Sequence, residues 1–376
     1  MEDRVLIAKA VIWLFVTMTS VGVIVALQPF ARIVRPKPRM LEFVAIALIG
    51  TACAGGAAVL MLVFGFGAFA LIRVTYLFLA VVMPVIGICL AIRYARSRPR
   101  ARITAGLATI LLVPAPLAAY ASWIEPGRLR VETAELPHGE IFGDQAIRIV
   151  VLADLQTDHV GAYERRCIER INALKPDIVL MTGDYLQLSN AAFSGQAAAF
   201  RGLMNEIRAP GGVFAVFGDV DPPARTRALF NGTNVIVLEN RVSMAYAGAR
   251  RIAIGGVALQ CDQQAAREAI RALAETPADY RILIAHRPDV AFAAGGVNGI
   301  DLIVAGHTHG GQVVFPGFGP PITLSHVPRR VASGGLHEIG EQTIYVSRGV
   351  GMERGMAPPV RFWCPPELTL LTSASE

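Results

Sequence analysis

Four apolar stretches in the first 125 residues constrain the fold of this chain more than any other feature. Each is close to the roughly 20 residues that a helix needs to cross a bilayer. They comprise residues 5–27, 43–65, 74–92 and 103–123. A cleaved signal peptide is the alternative for the first stretch, but its long apolar run and the lack of a small-residue cleavage site favour a retained span. The pattern therefore predicts four transmembrane helices, with Pro84 kinking the third.

The short loops between these stretches differ in positive charge. Four basic residues follow the first stretch and five follow the third, whereas only Arg73 lies between the second and the third. Because short loops rich in Lys and Arg stay in the cytoplasm, we expect a multi-pass protein of the cytoplasmic membrane with its soluble domain on the extracytoplasmic side. Three or five spans would invert this orientation.

The basic residues are concentrated in the apolar part of the chain. Residues 1–125 hold 12 Lys and Arg against 4 Asp and Glu, while residues 126–376 hold 23 against 25. The second part therefore has no excess of positive charge with which to bind nucleic acid. The partner that the sequence predicts is the lipid bilayer.

After a predicted linker at 126–145, residues 146–373 alternate short apolar strands with helical periods, which predicts an α/β domain. Residues 234–258 are rich in β pattern and are candidates for a second sheet, and 367–373 read as a closing strand. The main strands are predicted at 146–153, 177–183, 212–218, 281–286 and 301–306, with helices at 163–174 and 192–208.

Polar side chains follow each of the five main strands. In chain order they are Asp154, Gln156 and Asp158; Asp184; Asp219 and Asp221; His286; and His307 and His309. A single Asp at such a place is more often a helix N-cap. Ligands of open α/β sheets, however, bind outside the carboxyl ends of the strands. Carboxylates and imidazoles at five successive strand ends therefore predict a metal site for Mn, Fe, Zn or Mg.

Several segments of this domain resemble the calcineurin-like metallophosphoesterases, and most closely their membrane-anchored bacterial phosphodiesterase branch (YkuE/YaeI-like). They are "KPDIVLMTGD", "AHRPD", "GHTHGGQV", "YVSRGVG" and "PPVRFWCPPELTLL". The resemblance covers roughly 146–372. It implies a two-sheet α/β sandwich, which here would follow the multi-span α-helical membrane region.

The resemblance also implies two divalent metal ions that hold a phosphate and activate a water for in-line attack. Transferred by position, the ligands of one ion are Asp154, Gln156, Asp184 and His309. The second ion shares Asp184 and adds Asp219, His286 and His307. The implied activity is hydrolysis of a phosphate ester, with phosphodiesters favoured and a lipid-linked substrate suggested by the membrane location alone.

Three positions depart from the family pattern. Gln156 and Val220 replace histidines, and Asp219 replaces asparagine. Gln156 and Asp219 still offer oxygen ligands, but Val220 offers neither a charge nor a proton at the place where the family has a His beside the scissile phosphate. The candidate substitutes are Asp158, His159 and Asp221 for catalysis, and Arg348 and Arg361 for the substrate phosphate. The alternative to an enzyme is therefore a degenerate member that senses or scaffolds by binding metal or phosphate.

Overall fold

The computed structural model of the chain describes residues 67–94, 101–143 and 146–373. The chain divides into two compact units. The N-terminal unit comprises Met1–Ile124 and Arg354–Pro359, and the C-terminal unit comprises Glu125–Glu353 and Val360–Glu376. The predicted spans 5–27 and 43–65 and most of the basic loops that predict the orientation lie outside the described residues.

The N-terminal unit is helical where it is described. Its α-helices are α1 (Gly67–Leu77), α2 (Met83–Tyr94), α3 (Ala101–Leu112) and α4 (Pro114–Ala119). A π-helical turn, Phe78–Val82, connects α1 to α2 just before Pro84. This turn lies where the proline, which has no N–H, disturbs the regular hydrogen-bond ladder.

Two helical stretches, Phe69–Cys89 and Ala105–Gly127, are long and apolar enough to cross a membrane. They overlap the predicted third and fourth spans. The criterion is helix length and apolar composition, which an apolar helix in the core of a soluble protein also meets. The number of spans and the orientation therefore stay predictions.

The C-terminal unit contains two six-stranded sheets. The strands are β1 (Arg130–Glu135), β2 (Arg148–Leu152), β3 (Ile178–Met181), β4 (Val213–Ala215), β5 (Val235–Val237), β6 (Arg241–Ala247), β7 (Arg250–Gly256), β8 (Tyr280–Ile284), β9 (Leu302–Ala305), β10 (Gly335–Ile339), β11 (Gln342–Val346) and β12 (Glu367–Thr372). The first sheet has the order β1-β12-β2-β3-β4-β5 and the second β10-β11-β9-β8-β7-β6. Both sheets mix parallel and antiparallel pairs.

Helices cover the outer face of each sheet. They are α5 (Ala162–Ala173), α6 (Asn190–Asn205), α7 (Pro223–Phe230), α8 (Gln264–Glu275), α9 (Val290–Ala293) and α10 (Arg329–Ala332). One apolar cluster fills the space between the two sheets, with Ile149, Leu180 and Phe214 from the first and Ile254 and Ile282 from the second. Separate clusters pack the helices onto each outer face. The predicted two-sheet α/β sandwich is confirmed.

One detail differs from the sequence prediction. The predicted linker at 126–145 contains β1, which runs parallel to β12 at the edge of the first sheet. The predicted closing strand is confirmed as β12, which is inserted between β1 and β2. The five strands that precede the polar side chains also belong to two sheets, with β2, β3 and β4 in the first and β8 and β9 in the second.

Candidate metal centre

The loops at the carboxyl ends of these five strands bring their polar side chains together. Asp154, Asp184 and Asp219 follow β2, β3 and β4, whereas His286 and His307 follow β8 and β9. All five lie in the C-terminal unit, and donor atoms from them approach one another to within 4.8 Å in two overlapping groups. The acidic half of the site thus comes from one sheet and the imidazole half from the other.

The backbone of these loops adopts an uncommon conformation at several candidate ligands. Five of the candidate ligands have a positive φ in the left-handed region: Asp154, Gln156, Asp184, His307 and His309. That conformation costs an L-residue about 1–2 kcal/mol, and such strain clusters at functional sites. The glycine at position 218 lets the loop after β4 lie close to Asp184, because a Cβ at Gly218 would lie only 2.2 Å from Asp184 Oδ1.

The first group consists of Asp219, His286 and His307. Asp219 Oδ2 lies 3.0 Å from His307 Nδ1 and 3.3 Å from His286 Nε2. The two imidazoles are also adjacent, with His307 Nδ1 and His286 Nε2 3.2 Å apart. Three potential ligand atoms therefore point at one small volume.

The second group consists of Asp154, Asp184 and His286, all of them buried. His286 Nε2 lies 3.4 Å from Asp184 Oδ2, and His286 Nδ1 lies 3.8 Å from Asp154 Oδ1. Backbone amides fix both carboxylates, since His307 N donates to Asp154 and Val220 N donates to Asp184. Within the described residues, His286 is the one side chain that belongs to both groups.

The pKa values reflect the crowding of charge. Burial raises the pKa of Asp154 to about 7, against the opposing effect of His286. Burial lowers the pKa of His286, but Asp184, Asp219 and Asp154 outweigh this effect and raise it to about 10. Burial also raises the pKa of Asp219, but hydrogen bonds from His286, His307 and Arg287 more than reverse this effect and hold it well below the ordinary value. A proton on His286 thus balances the carboxylates that surround it.

These donors fit divalent cations. His286 Nδ1 lies 2.8 Å from the Thr182 carbonyl oxygen, so Nδ1 carries the proton and Nε2 presents its lone pair to the carboxylates whenever the ring is neutral. A cation at this place would release the second proton of His286, since imidazole binds metals in its neutral form. His309 Nε2 is buried and has no hydrogen-bond partner among the described residues, which is costly unless a ligand satisfies it.

His309, a ligand expected from the resemblance, belongs to neither group, and Gln156 lies in the loop after β2, two residues beyond Asp154. Burial, followed by the charge of Arg361, lowers the pKa of His309 well below its ordinary value, which keeps its ring neutral. The Gln156 amide donates from Nε2 to Gln187 Oε1 at 3.2 Å and to Glu353 Oε2 at 3.0 Å. Gln187 in turn donates to Glu353 Oε1 at 2.9 Å. This triad orients the amide of Gln156, and neither Gln187 nor Glu353 was recognised from the sequence.

The three candidate catalytic residues lie in different settings. Asp158 and His159 are exposed in the loop after β2. Asp221 is fully buried, and its Oδ2 accepts hydrogen bonds from the backbone amides of Tyr185 and Leu186. Burial raises the pKa of Asp221 to about 6. Its contacts show that Asp221 fixes the loop that carries Asp184.

The two candidate arginines are held by other groups. Arg348 forms ion pairs with Glu367 and with Glu132, the latter at 2.8 Å. Arg361 is fully buried and donates to the carbonyl oxygens of four residues: Arg348, Gly349, Gly351 and Cys364. These contacts tie the C-terminal loop together beneath His309.

Replacing Arg361 with Met is expected to lower the free energy of unfolding by about 3 kcal/mol or more, because the substitution leaves several buried carbonyls without a donor. For a domain of this size that corresponds to a fall in melting temperature of about 6–12 °C. Thermal unfolding of the purified full-length chain measures the effect, with the exposed Arg170→Met on α5 as the control. Equal melting temperatures for the two variants would contradict this role of Arg361.

Arg287 is a further charged residue of the site that the sequence did not single out. Its Nε and Nη2 atoms lie 3.0 Å and 2.5 Å from Asp219 Oδ2 and Oδ1, a two-pronged arrangement. The available signal was its place in "AHRPD", directly after His286. The partner carboxylate lies 68 residues away in the sequence, so nothing local pointed to the pair.

Two sheets packed face to face, covered by helices and carrying clustered carboxylates and imidazoles at their strand ends, have the architecture of a metallophosphoesterase. Comparison with known proteins agrees. The sequence profile of the calcineurin-like phosphoesterases matches residues 147–311, and the chain belongs to the calcineurin-like metallophosphoesterase family.

Three relatives show how far the similarity extends. Phosphodiesterase YaeI of Escherichia coli (strain K12) is 32% identical over 67% of this chain and 91% of its own length. The uncharacterized metallophosphoesterase YkuE of Bacillus subtilis (strain 168) is 27% identical over 68% of this chain and 89% of its own. The UDP-2,3-diacylglucosamine pyrophosphatase LpxG of Chlamydia trachomatis is 25% identical over 72% and 96%.

Proposed function

We propose that the chain is a metal-dependent phosphoesterase that hydrolyses phosphodiesters. The observation that carries this proposal is the convergence of Asp154, Asp184, Asp219, His286 and His307 in two overlapping groups with donor atoms within 4.8 Å. Membership of a phosphoesterase family and the name of the relative YaeI support the reaction class.

The residues that would hold the two cations are those of the two groups, and Gln156 and His309 are the further ligands that the family resemblance implies. Bound divalent ions supply Lewis-acid polarisation of a phosphoryl oxygen and lower the pKa of water. The protein positions these ligands before substrate binds, because backbone amides hold Asp154 and Asp184 and the Thr182 carbonyl holds the ring of His286. Such preorganisation avoids the cost of reorienting dipoles during the reaction.

The second candidate function is a degenerate member that binds metal or phosphate without turnover. The observation that favours it is Val220, whose side chain has no polar atom although its backbone amide contacts Asp184. Metal binding alone does not separate the two functions, so hydrolysis must be measured.

The test is hydrolysis of an aryl phosphodiester by the purified full-length chain with Mn²⁺, Mg²⁺ or Zn²⁺. His307→Ala removes the Nδ1 atom that faces Asp219. It is therefore expected to lower the metal-stimulated rate by about 100-fold, which is at least the effect of losing a residue that only orients a metal ligand. If the wild type binds Mn²⁺ but hydrolyses the ester no faster than His307→Ala, with both at the background rate, the enzyme is rejected and the degenerate binder remains.

We further propose that the apolar helices anchor the chain in the cytoplasmic membrane through four spans, with the phosphoesterase domain outside. The apolar stretches Phe69–Cys89 and Ala105–Gly127 support membrane association. The relative LpxG is named for cleavage of UDP-2,3-diacylglucosamine, which supports an acylated, lipid-linked phosphate ester or anhydride as the substrate class. Protease digestion of intact and of permeabilised cells tests the orientation, because cleavage of the domain in intact cells requires an outer location.

A further inference from the structure

The cation of Arg287 lies at the edge of the metal centre. One carboxylate, that of Asp219, separates its guanidinium from His286 and His307, since Asp219 Oδ2 is 3.0 Å from Arg287 Nε and 3.0 Å from His307 Nδ1. The two-pronged contact fixes the plane of the guanidinium. Whatever binds at the proposed ions is therefore within reach of this side chain.

Arg287 is also accessible. About half of its side chain, 47%, is exposed, whereas the side chain of Asp219 is 27% exposed. Nε and Nη2 donate to Asp219, and within the described part of the chain no hydrogen bond from Nη1 is found. The outer edge of the guanidinium thus presents N–H donors to solvent beside the proposed ions.

Other cationic candidates are less well placed. Arg361 is fully buried and donates to backbone carbonyls, and Arg348 pairs with Glu367 and Glu132. Val220, which follows Asp219 directly, offers no side-chain donor. A phosphate held between the two groups would carry negative charge toward three carboxylates, and an arginine is well suited to offset that charge and to bind phosphoryl oxygens.

We propose that Arg287 binds a non-bridging oxygen of the substrate phosphate, with Asp219 holding its guanidinium in place. This inference rests on the proposed function, since it assigns a substrate-binding residue to the same site. In this proposal Asp219 has two roles, because its carboxylate both faces the imidazoles of His286 and His307 and anchors Arg287. The ligand class is the phosphate oxyanion, whether free or esterified.

The experiment measures binding of inorganic phosphate to the Mn²⁺-loaded full-length chain by calorimetry, which requires no turnover. Arg287→Gln is expected to raise the dissociation constant of phosphate about tenfold or more, the loss of one charge-assisted hydrogen bond. Arg287→Lys keeps the charge but loses the planar fork, so its dissociation constant is expected to lie between those of the wild type and Arg287→Gln. The KM for an aryl phosphodiester is expected to rise in the same order.

The matched control is Arg165→Gln, which breaks an exposed arginine–carboxylate pair with Glu206 on a different surface. It should leave phosphate binding unchanged. Mn²⁺ affinity is measured on every variant, because removal of a nearby cation should leave it unchanged or tighter, whereas collapse of the metal centre would weaken it. Weaker Mn²⁺ binding in parallel with weaker phosphate binding would overturn the proposal.

Unchanged phosphate binding in Arg287→Gln would also overturn it, whatever the hydrolytic rate. A chain that hydrolyses no ester, but whose phosphate binding weakens in Arg287→Gln with Mn²⁺ binding intact, would support the role of Arg287 and reject the proposed enzyme. The two proposals therefore fail separately.

Discussion

Replacing His286 with Ala is expected to abolish metal-stimulated phosphodiester hydrolysis, lowering kcat/KM by well over the roughly 10- to 100-fold that loss of an outer-shell partner costs. The side chain is buried and belongs to both candidate groups in the described residues. Its loss therefore removes one proposed metal ligand and the imidazole that the carboxylates of both groups face. Steady-state kinetics of the purified chain at saturating Mn²⁺ measure the effect.

Loss of His286 also removes the partner of the Thr182 carbonyl, so a folding defect must be separated from the loss of a ligand. His286→Gln, assayed with Zn²⁺, serves this purpose, because its amide can still donate to the Thr182 carbonyl whereas its oxygen is a poorer ligand for Zn²⁺ than the imidazole nitrogen. The control is His337→Ala, because His337 lies on β10, away from the site, and its ring contacts the carbonyl oxygen of Gly334 just before that strand. Hydrolysis at the wild-type rate by a folded His286→Gln variant would contradict the assignment of this residue.

Replacing Val220 with His is expected to raise kcat about 100-fold on a substrate with a poor, alkyl leaving group, within the range attributed to a single general acid. Position 220 is part of the site, since its backbone amide lies 2.9 Å from Asp184 Oδ1. Arg287 can offset negative charge there but does not give up a proton, because an arginine stays charged throughout the physiological range. The side chain of Val220 offers no proton, and the proposed role of Arg287 does not supply one.

The choice of substrate makes this prediction specific. An aryl leaving group departs without protonation, so Val220→His should accelerate the aryl phosphodiester much less than the alkyl one. Val220→Gln is the matched control, since it adds polarity and a similar volume but cannot transfer a proton. Equal gains in the Gln and His variants, or equal gains on both substrates, would show that position 220 acts in another way.

The sequence located much of the candidate centre because its signals are local. Asp154, Asp184 and His286 each come directly after a short buried strand, and the rule that ligands bind at the carboxyl ends of strands placed them together. That reasoning assumed a single open sheet, whereas the histidines come from a second sheet that packs on the first. The loop ends converge all the same, so the rule placed these residues together although their strands lie in two sheets.

What the sequence did not reveal depends on contacts between distant segments. Glu353 orients Gln156 from 197 positions away, and Arg287 meets Asp219 across 68. Neither distance leaves a periodic signal in the chain. Strand β1, "RVETAE", has only two apolar residues and lies at the edge of the first sheet, so its local signal was too weak to distinguish it from a linker. The candidate arginines 348 and 361 were chosen by motif, and only their packing shows how fully the protein itself engages them.

The insertion of β12 between β1 and β2 has a consequence for how the domain assembles. Thr369 pairs with Val151 and Leu368 with Val131, so β1 is joined to the other strands of the first sheet by a segment more than 200 positions further along the chain. Until residues 367–372 have been synthesised, β1 and β2 each present an unsatisfied edge to water and to other nascent chains. A topology with such long-range pairing folds slowly. The domain should therefore mature only after translation has reached its final strand, and the growing polypeptide is most vulnerable to aggregation just before that moment.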